Sequence, residues 1–157
     1  MGTDRGNISK SIREKARSLI HSGAAQSPLV TQRGIIATPI PIHNTEGDFA
    51  GWFVGVVVDG KIAGYFRFLN DLTLSGYSSF QRQSDSIDTC PDAKVWLDPD
   101  YILELARSVA KKGDSLAQPF LSYDQYPSRV AWLVPATTMS KKHKHIYVAG
   151  GFAYIKE

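Results

Sequence analysis

The 157-residue sequence has a single cysteine, no long apolar run and no block of like charge. Its one cysteine, Cys90, excludes an internal disulfide framework. No apolar stretch approaches the roughly 20 residues that a membrane-spanning helix requires, so membrane insertion is not expected. Lys and Arg total 18 against 15 Asp and Glu, and neither half of the chain is strongly charged. This balance disfavours nucleic acid as the main partner.

Motifs for nucleotides and for local catalysis are missing as well. There is no P-loop, and no Gly-x-Gly-x-x-Gly opens a helix. The glycines of Gly55 to Gly64 and Gly150-Gly151 are interpreted as strand glycines at bulges or close helix contacts. Cys90 precedes Pro91 in a polar loop with no helix start beside it, so we interpret it as incidental rather than nucleophilic. The sequence therefore indicates no catalytic residue and no cofactor.

A histidine pair is the one candidate for metal binding. His143 and His145 are two residues apart, which on a strand places both imidazoles on one face. A stable zinc site needs at least a third ligand, and only His21 and His43 remain as histidines. The favoured interpretation is a solvated basic turn over residues 141–145.

What the chain does contain is enough apolar sequence for a core, at 43% hydrophobic and 21% charged residues. Two amphipathic helices are predicted. Ser9–Ser22 carries an apolar stripe at three- and four-residue steps and stops at Gly23. Pro99–Lys112 follows the N-cap residue Asp98 and stops at Gly113.

The remaining apolar segments are predicted to be strands. Pro39 and Pro41 make residues 34–42 an edge strand or an extended arm. Asp59-Gly60 predicts a type I′ hairpin between strands 52–58 and 61–69, whose two faces are both apolar. The later predicted strands are Thr73–Phe80, Phe120–Tyr123, Val130–Pro135 and Ile146–Ile155, with a basic hairpin tip at Met139–Lys144.

These elements predict one α+β domain in which antiparallel strands pack on two helices. Residues 1–8 are expected to be a disordered N-terminal segment, with no signal-peptide pattern and a start compatible with a removed leader. The domain would span residues 9–157. Its halves would be 9–80 and 93–157, joined by a polar linker over 81–92.

The two halves share sequence features that suggest an internal duplication. Ala16-Arg-Ser-Leu and Ala106-Arg-Ser-Val lie ninety residues apart, and each is followed by a glycine. Gln26-Ser-Pro28-Leu29 is matched with Gln118-Pro119-Phe120-Leu121, and the tryptophans Trp52 and Trp132 are matched with each other. The alternative is that two amphipathic helices share Ala-Arg-Ser by chance.

In the order of its elements, each half resembles PepSY and cystatin-like domains, in which a curled antiparallel sheet wraps one helix. The resemblance covers residues 9–80 and 98–155. It implies a secreted or envelope-associated protein that binds or restrains peptidases. Residues 56–60 lack the glutamine of the cystatin Gln-x-Val-x-Gly hairpin, so inhibition of cysteine proteases does not carry over.

A ligand surface is suggested by aromatic residues that crowd the predicted strands beside arginines. The candidate residues for binding a peptide or a glycan are Arg67, Arg82, Tyr77, Tyr126 and Arg129. The leading hypothesis is a noncatalytic binding or inhibitory domain for a protein or peptide. Two alternatives are open, namely a small-molecule or lipid carrier with a pocket between sheet and helix, and an enzyme with scattered site residues.

Overall fold

The computed structural model describes residues 2–126, 129–149 and 152–156. The chain divides into two compact units. Unit 1 comprises Met1–Pro41 and Phe49–Ala93, and unit 2 comprises Ile42–Asp48 and Lys94–Glu157. The predicted linker 81–92 therefore belongs to unit 1, and a short segment from the first half of the chain belongs to unit 2. No described helix is long and apolar enough to cross a membrane.

Four helices are present among the described residues, and two of them are long. They are α1 (Gly2–His21), α2 (Pro28–Arg33), α3 (Ala93–Trp96) and α4 (Pro99–Val109). The α+β class and the two long helices match the sequence-based prediction. Helix α1 begins at Gly2 and not at Ser9, so residues 2–8 are helical where a disordered segment was expected. Once a helix has nucleated, each further residue is added at little cost, without any apolar stripe to mark it.

The strands of unit 1 form an antiparallel meander beside α1. Strand β1 (Ile35–Ile36) pairs with β3 (Phe49–Val58), which pairs with β4 (Lys61–Phe68), which pairs with β5 (Leu74–Ser79). The hairpin at Asp59-Gly60 is confirmed, because both residues have positive φ, at 50° and 82°.

The core of unit 1 lies between α1 and one face of this meander. Ile12, Ala16 and Ile20 form the buried stripe of the helix, and Val54 and Phe66 meet it from β3 and β4. The opposite face is buried too, and carries the stacked rings of Phe53 and Tyr65 with centroids 4.6 Å apart. The prediction that both faces of this hairpin are covered is thus confirmed.

Unit 2 is built around α4. The Asp98 side chain accepts a hydrogen bond from the N–H of Asp100, as predicted for the N-cap. The helix ends at Val109, three residues before the predicted end, and Gly113 with φ 94° lies in the turn that follows. The Trp132 indole N–H donates to the Trp96 carbonyl at 2.8 Å, which ties α3 to the helix-facing side of the sheet.

The strands of unit 2 repeat the meander. They are β6 (Ser115–Leu116), β7 (Phe120–Tyr123), β8 (Val130–Thr137), β9 (His143–Ala149) and β10 (Phe152–Lys156). Strand β7 also pairs in parallel with β2 (Ile40–His43) through Ile42 and Leu121. The single strand predicted over 146–155 is in fact two antiparallel strands. Gly150-Gly151, interpreted as strand glycines, lie outside the described residues.

The strand registers of the two units coincide at an offset of eighty residues over residues 52–56 of β3 and 132–136 of β8. Trp52 pairs with Phe68 on β4, and Trp132 pairs with Val148 on β9. The same shift relates the β1–β3 pairing to the β6–β8 pairing. It also relates two loop hydrogen bonds of 2.9 Å, from Ala37 N–H to Gly55 O and from Ala117 N–H to Pro135 O. Strand order and direction agree, as the duplication hypothesis requires, and so does the register up to a bulge after Val56 that β8 and β9 lack.

The helices correspond at an offset of ninety residues, ten more than the strands. The fully buried residues Ile12 and Ala16 match Ile102 and Ala106. Helix α2 accounts for the difference, because it occupies the stretch between α1 and β1 that unit 2 lacks. The matching of Gln26-Ser-Pro28-Leu29 with Gln118-Pro119-Phe120-Leu121 is therefore wrong. Pro28 starts a helix, whereas Pro119 corresponds to Pro39 before a strand.

The hairpin at Gly60 gives a stability test. An added Cβ at Gly60 would meet no atom within 4 Å, so a substitution there costs only the energy of positive φ. Gly60→Ala should lower the free energy of unfolding by about 1 kcal/mol in urea denaturation. Gly55→Ala is the matched control, since its Cβ would make ordinary contacts and its φ is not positive. Equal stability of the Gly60 variant and the parent would contradict the turn geometry.

Candidate functional site

Strand β5 presents an edge that lacks the usual protection against strand pairing. Among the described residues its one paired neighbour is β4, and its residues range from half-buried to exposed. The sequence Leu-Ser-Gly-Tyr-Ser-Ser contains no charge and no proline. Proteins normally protect edges with charged side chains, prolines or a covering segment. The edge of β5 is thus chemically suited to pair with another extended chain.

The register fixes which backbone groups point outward from this edge. The Phe80 N–H donates to the Ala63 carbonyl at 2.8 Å. Hydrogen-bonded and non-hydrogen-bonded pairs alternate along an antiparallel ladder, so Tyr65–Ser78 is hydrogen-bonded and Phe66–Tyr77 is not. The N–H and C=O groups of Tyr77 and Ser79 therefore face away from β4. Within the described residues these N–H groups have no hydrogen-bond partner.

A cavity of about 550 Å³ opens at the start of β5, beside helix α1. Its apolar lining comes from Leu19 on the helix and from Phe68, Leu72 and Leu74 on the strand side. Leu74, the first residue of β5, is 38% exposed. Glu14 and Lys15 also line the cavity, and the Lys15 ammonium donates to the Leu72 carbonyl at 3.2 Å. An apolar cavity directly beside a free strand edge is suited to hold a side chain of a bound peptide.

The corresponding edge of unit 2 is different. In the repeated register Ser78 corresponds to Lys156 on β10, because both pair opposite equivalent residues, Tyr65 and His145. Lys156 carries a charge onto that edge and forms an ion pair with Asp124. Asp124 is buried and also accepts from the Tyr154 hydroxyl at 2.7 Å. Burial raises the pKa of Asp124, but the hydrogen bonds from Lys156 and Tyr154 outweigh it and leave the pKa below its ordinary value.

Two of the predicted ligand residues, Arg67 and Tyr77, lie on opposite faces of the β4–β5 pair. Arg67 is opposite Gly76, whereas Tyr77 is opposite Phe66 and packs against it with ring centroids 4.8 Å apart. The Tyr77 hydroxyl is buried, and burial raises its pKa. Tyr77 is thus a core side chain whose backbone, rather than its ring, belongs to the candidate edge.

The other three predicted residues are distributed over loops. Arg82 is exposed in the bend after β5. Tyr126 and Arg129 belong to the β7–β8 loop of unit 2, where the Arg129 N–H donates to the Tyr126 carbonyl at 2.9 Å. Tyr126 is 60% exposed. The sequence analysis does not predict the free edge of β5, although the uncharged segment Ser75-Gly-Tyr-Ser-Ser79 is a signal for it.

The prediction of a solvated basic turn at 141–145 is wrong for its central residues. His143, Lys144 and His145 begin strand β9, and Lys144 is buried. Its ammonium lies 2.6 Å from the Asp114 carboxylate, and both side chains are at most 7% exposed. The histidines lie on the other face of the strand, and His145 contacts Tyr147 edge-on. No group of three metal-binding side chains occurs within the described residues.

The pKa shifts of Asp114 and Cys90 have structural causes. The hydrogen bond from Lys144 and the backbone bond from Lys111 hold the pKa of Asp114 below its ordinary value of 3.8. Cys90 is buried, and burial raises the pKa of its thiol. A general acid or base instead needs a pKa near the working pH, and a nucleophilic thiol a lowered one. Neither property is found at Asp114 or Cys90.

The Asp114–Lys144 pair makes stability depend on pH with a defined sign. Because the folded-state pKa is below 3.8, Asp114 stabilises the fold above that value, and the contribution is lost as pH falls through the folded pKa. Asp114→Asn should therefore be destabilising at neutral pH, and progressively less so as the pH falls below 3.8 through the folded-state pKa. Urea denaturation over a series of pH values measures this. The control is Asp85→Asn, which alters an exposed carboxylate with no ion pair in the described structure. A pH-independent Asp114→Asn effect would contradict the ion pair.

Comparison with known proteins assigns no family to the chain. No protein-family model, no curated protein and no solved structure matches it. The resemblance to PepSY and cystatin-like domains consequently rests on the order of helix and strands alone. The function has to be inferred from the edge, the cavities and the charges of the two units.

Proposed function

We propose that the protein is a noncatalytic binding domain that captures an extended peptide segment as an added strand on β5. The observation that carries this proposal is the free, uncharged edge with the outward N–H groups of Tyr77 and Ser79. A peptide paired there gains backbone hydrogen bonds whatever its sequence, and adjacent pockets select its side chains. The secreted or envelope-associated setting is an expectation from the resemblance in element order.

Selectivity in this proposal comes from the cavity beside the edge. In an added strand, alternate side chains point to the same face of the sheet. The face that carries Tyr77 is the face covered by α1, and the cavity lined by Leu19, Leu72 and Leu74 lies there. A ligand with an apolar residue near the start of β5 and polar residues facing solvent fits this arrangement. Burying one such side chain contributes about 1.5–3 kcal/mol.

The difference between the two units supports the same surface. An edge strand is part of the shared meander in both, but the edge of β10 carries Lys156 where the edge of β5 carries Ser78. The fold therefore accommodates a protective charge at this position, and unit 1 lacks one. An unprotected edge is an aggregation hazard, so its presence is best explained by a partner that covers it.

The test begins with random heptapeptides displayed on phage and selected on the intact protein. A selected peptide and its scrambled version are then synthesised, and their Kd values are measured by fluorescence polarisation. Ser79→Pro removes an outward N–H and leaves the β4–β5 hydrogen bonds in place. We expect it to raise Kd about tenfold, through one lost hydrogen bond and the added ring. Amide exchange of Tyr77 and Ser79 should slow in the complex.

Ser78→Pro is the matched control. It removes an N–H that points to β4, so it should lower the free energy of unfolding by about 1–3 kcal/mol, which Ser79→Pro should not. A second variant, Leu74→Asn, tests the cavity and should weaken only peptides with an apolar residue near that end. Unchanged Kd in Ser79→Pro, or amide protection at another strand in place of β5, would refute strand addition. Binding of an apolar small molecule in the cavity, without peptide selectivity, would support the carrier alternative.

A further inference from the structure

A second cavity, in unit 2, is lined by more cationic than anionic side chains. It has a volume of about 590 Å³ and lies between the turn after α4 and the tip of the β8–β9 hairpin. Its lining includes the ion pair of Asp114 and Lys144. The other basic or hydroxyl-bearing residues that line it are Lys111, Lys112, Lys142, His143, Thr138 and Ser140. None of the three lysines forms an ion pair within the described part of the chain.

The one carboxylate in the cavity wall is already neutralised. Asp114 is held by Lys144 at 2.6 Å and accepts from the Lys111 N–H at 2.9 Å. The first bond cancels its charge, and the second fixes the turn that carries Lys111 and Lys112. Since Asp114 is not available to the other lysines, their positive charge is left for a ligand.

The opposite wall is also held in place by hydrogen bonds. The Thr138 hydroxyl accepts from the Lys142 N–H and lies 3.0 Å from the Ser140 hydroxyl. The Thr138 N–H donates to the Lys142 carbonyl at 2.8 Å, which closes the tip as a compact turn. Lys142 therefore extends from a backbone of defined shape. Because this wall is preorganised, less conformational entropy is lost when a ligand binds.

The duplication shows that the fold does not need these polar residues. At the offset of eighty, Thr138 corresponds to Val58, a fully buried core residue of unit 1. Lys144 corresponds to Gly64, over which the Tyr77 ring packs, and Asp114 corresponds to Gly34. Placing a buried Lys–Asp pair where the sister unit uses two glycines carries a desolvation cost. The packing of the shared meander supplies no reason for that cost.

We infer that this cavity binds a small phosphate-bearing anion, either free phosphate species or a phosphate ester. Three lysines on two walls provide the ammonium donors that bind phosphate as point charges. The Thr138 and Ser140 hydroxyls bond to each other and leave one O–H donor beside Lys142. Met139 and Ile155 complete the lining with apolar surface, which accommodates the organic part of an ester. This site lies within unit 2 and does not depend on the proposed peptide edge of unit 1.

Calorimetric titration of the intact protein at low ionic strength tests the inference, with pyrophosphate and phenyl phosphate as probes. Lys111→Gln, Lys112→Gln and Lys142→Gln should each raise Kd about threefold, and the triple variant by about tenfold or more. These side chains lie on exposed residues, so the variants should melt with the parent. Lys141→Gln is the matched control, because it removes the same charge from the same hairpin at a residue outside the cavity lining.

The two probes distinguish the sources of the phosphate. If phenyl phosphate binds more tightly than pyrophosphate, and Met139→Ser removes that difference in affinity, the site is assigned to a phosphate ester. Tighter binding of pyrophosphate would assign it to a free polyanion. The inference is overturned if the parent binds neither probe, if the three cavity variants keep the parent's Kd, or if Lys141→Gln weakens binding as much as they do. The last outcome would show diffuse attraction to a basic surface.

Discussion

In each unit, one helix lies on one face of an antiparallel meander, and an alanine at the centre of the contact lets it approach closely. Ala16 in α1 and Ala106 in α4 are fully buried, and isoleucines one turn earlier, Ile12 and Ile102, complete each stripe. The apolar face of each meander has to be buried against another element, so each meander depends on its helix. The strand registers, the outward edge groups and both cavities follow from this repeated packing.

The sequence predicts the local features of this fold correctly. The hairpin at Asp59-Gly60 and the helix start at Asp98-Pro99 were predicted because two neighbouring residues determine each backbone conformation. Helix α2 has the same signal as α4, a capping Ser27 followed by Pro28. The sequence analysis matches this segment with residues 118–121 as part of a repeat. That match treats Pro28 as the counterpart of Pro119 and so hides the helix start.

The less predictable features depend on residues far apart in sequence. Lys144 lies in a basic run that is normally solvated, and only the turn carrying Asp114 makes its burial favourable. Likewise, the sequence analysis places Arg67 and Tyr77 on one ligand surface. The register of β4 with β5, which has no bulge over residues 64–67, places the two side chains on opposite faces of the sheet. The free edge of β5 requires knowledge of strand order, which no local pattern contains.

The two units are most informative where they differ. Positions that the shared packing requires are apolar in both, as with Val54 and Val134 in the helix-facing rows of β3 and β8. Two differences are the β5 edge, which lacks the lysine of β10, and the Asp114–Lys144 pair, which stands where unit 1 has Gly34 and Gly64. The two proposed binding sites lie at these differences and leave the shared packing of helix and meander unchanged.

The central claim, one frame used twice in the same register, is tested most directly by Hα–Hα nuclear Overhauser effects across the hairpins. Gly55 directs its carbonyl to Ala37, and Pro135 directs its carbonyl to Ala117, so both face away from the partner strand of their hairpin. Close Hα–Hα pairs mark such non-hydrogen-bonded positions. We predict strong effects for Gly55–Tyr65 and Pro135–His145. Strong effects from Pro135 to Lys144 or Ile146, in place of His145, would shift the second register by one residue and contradict the account.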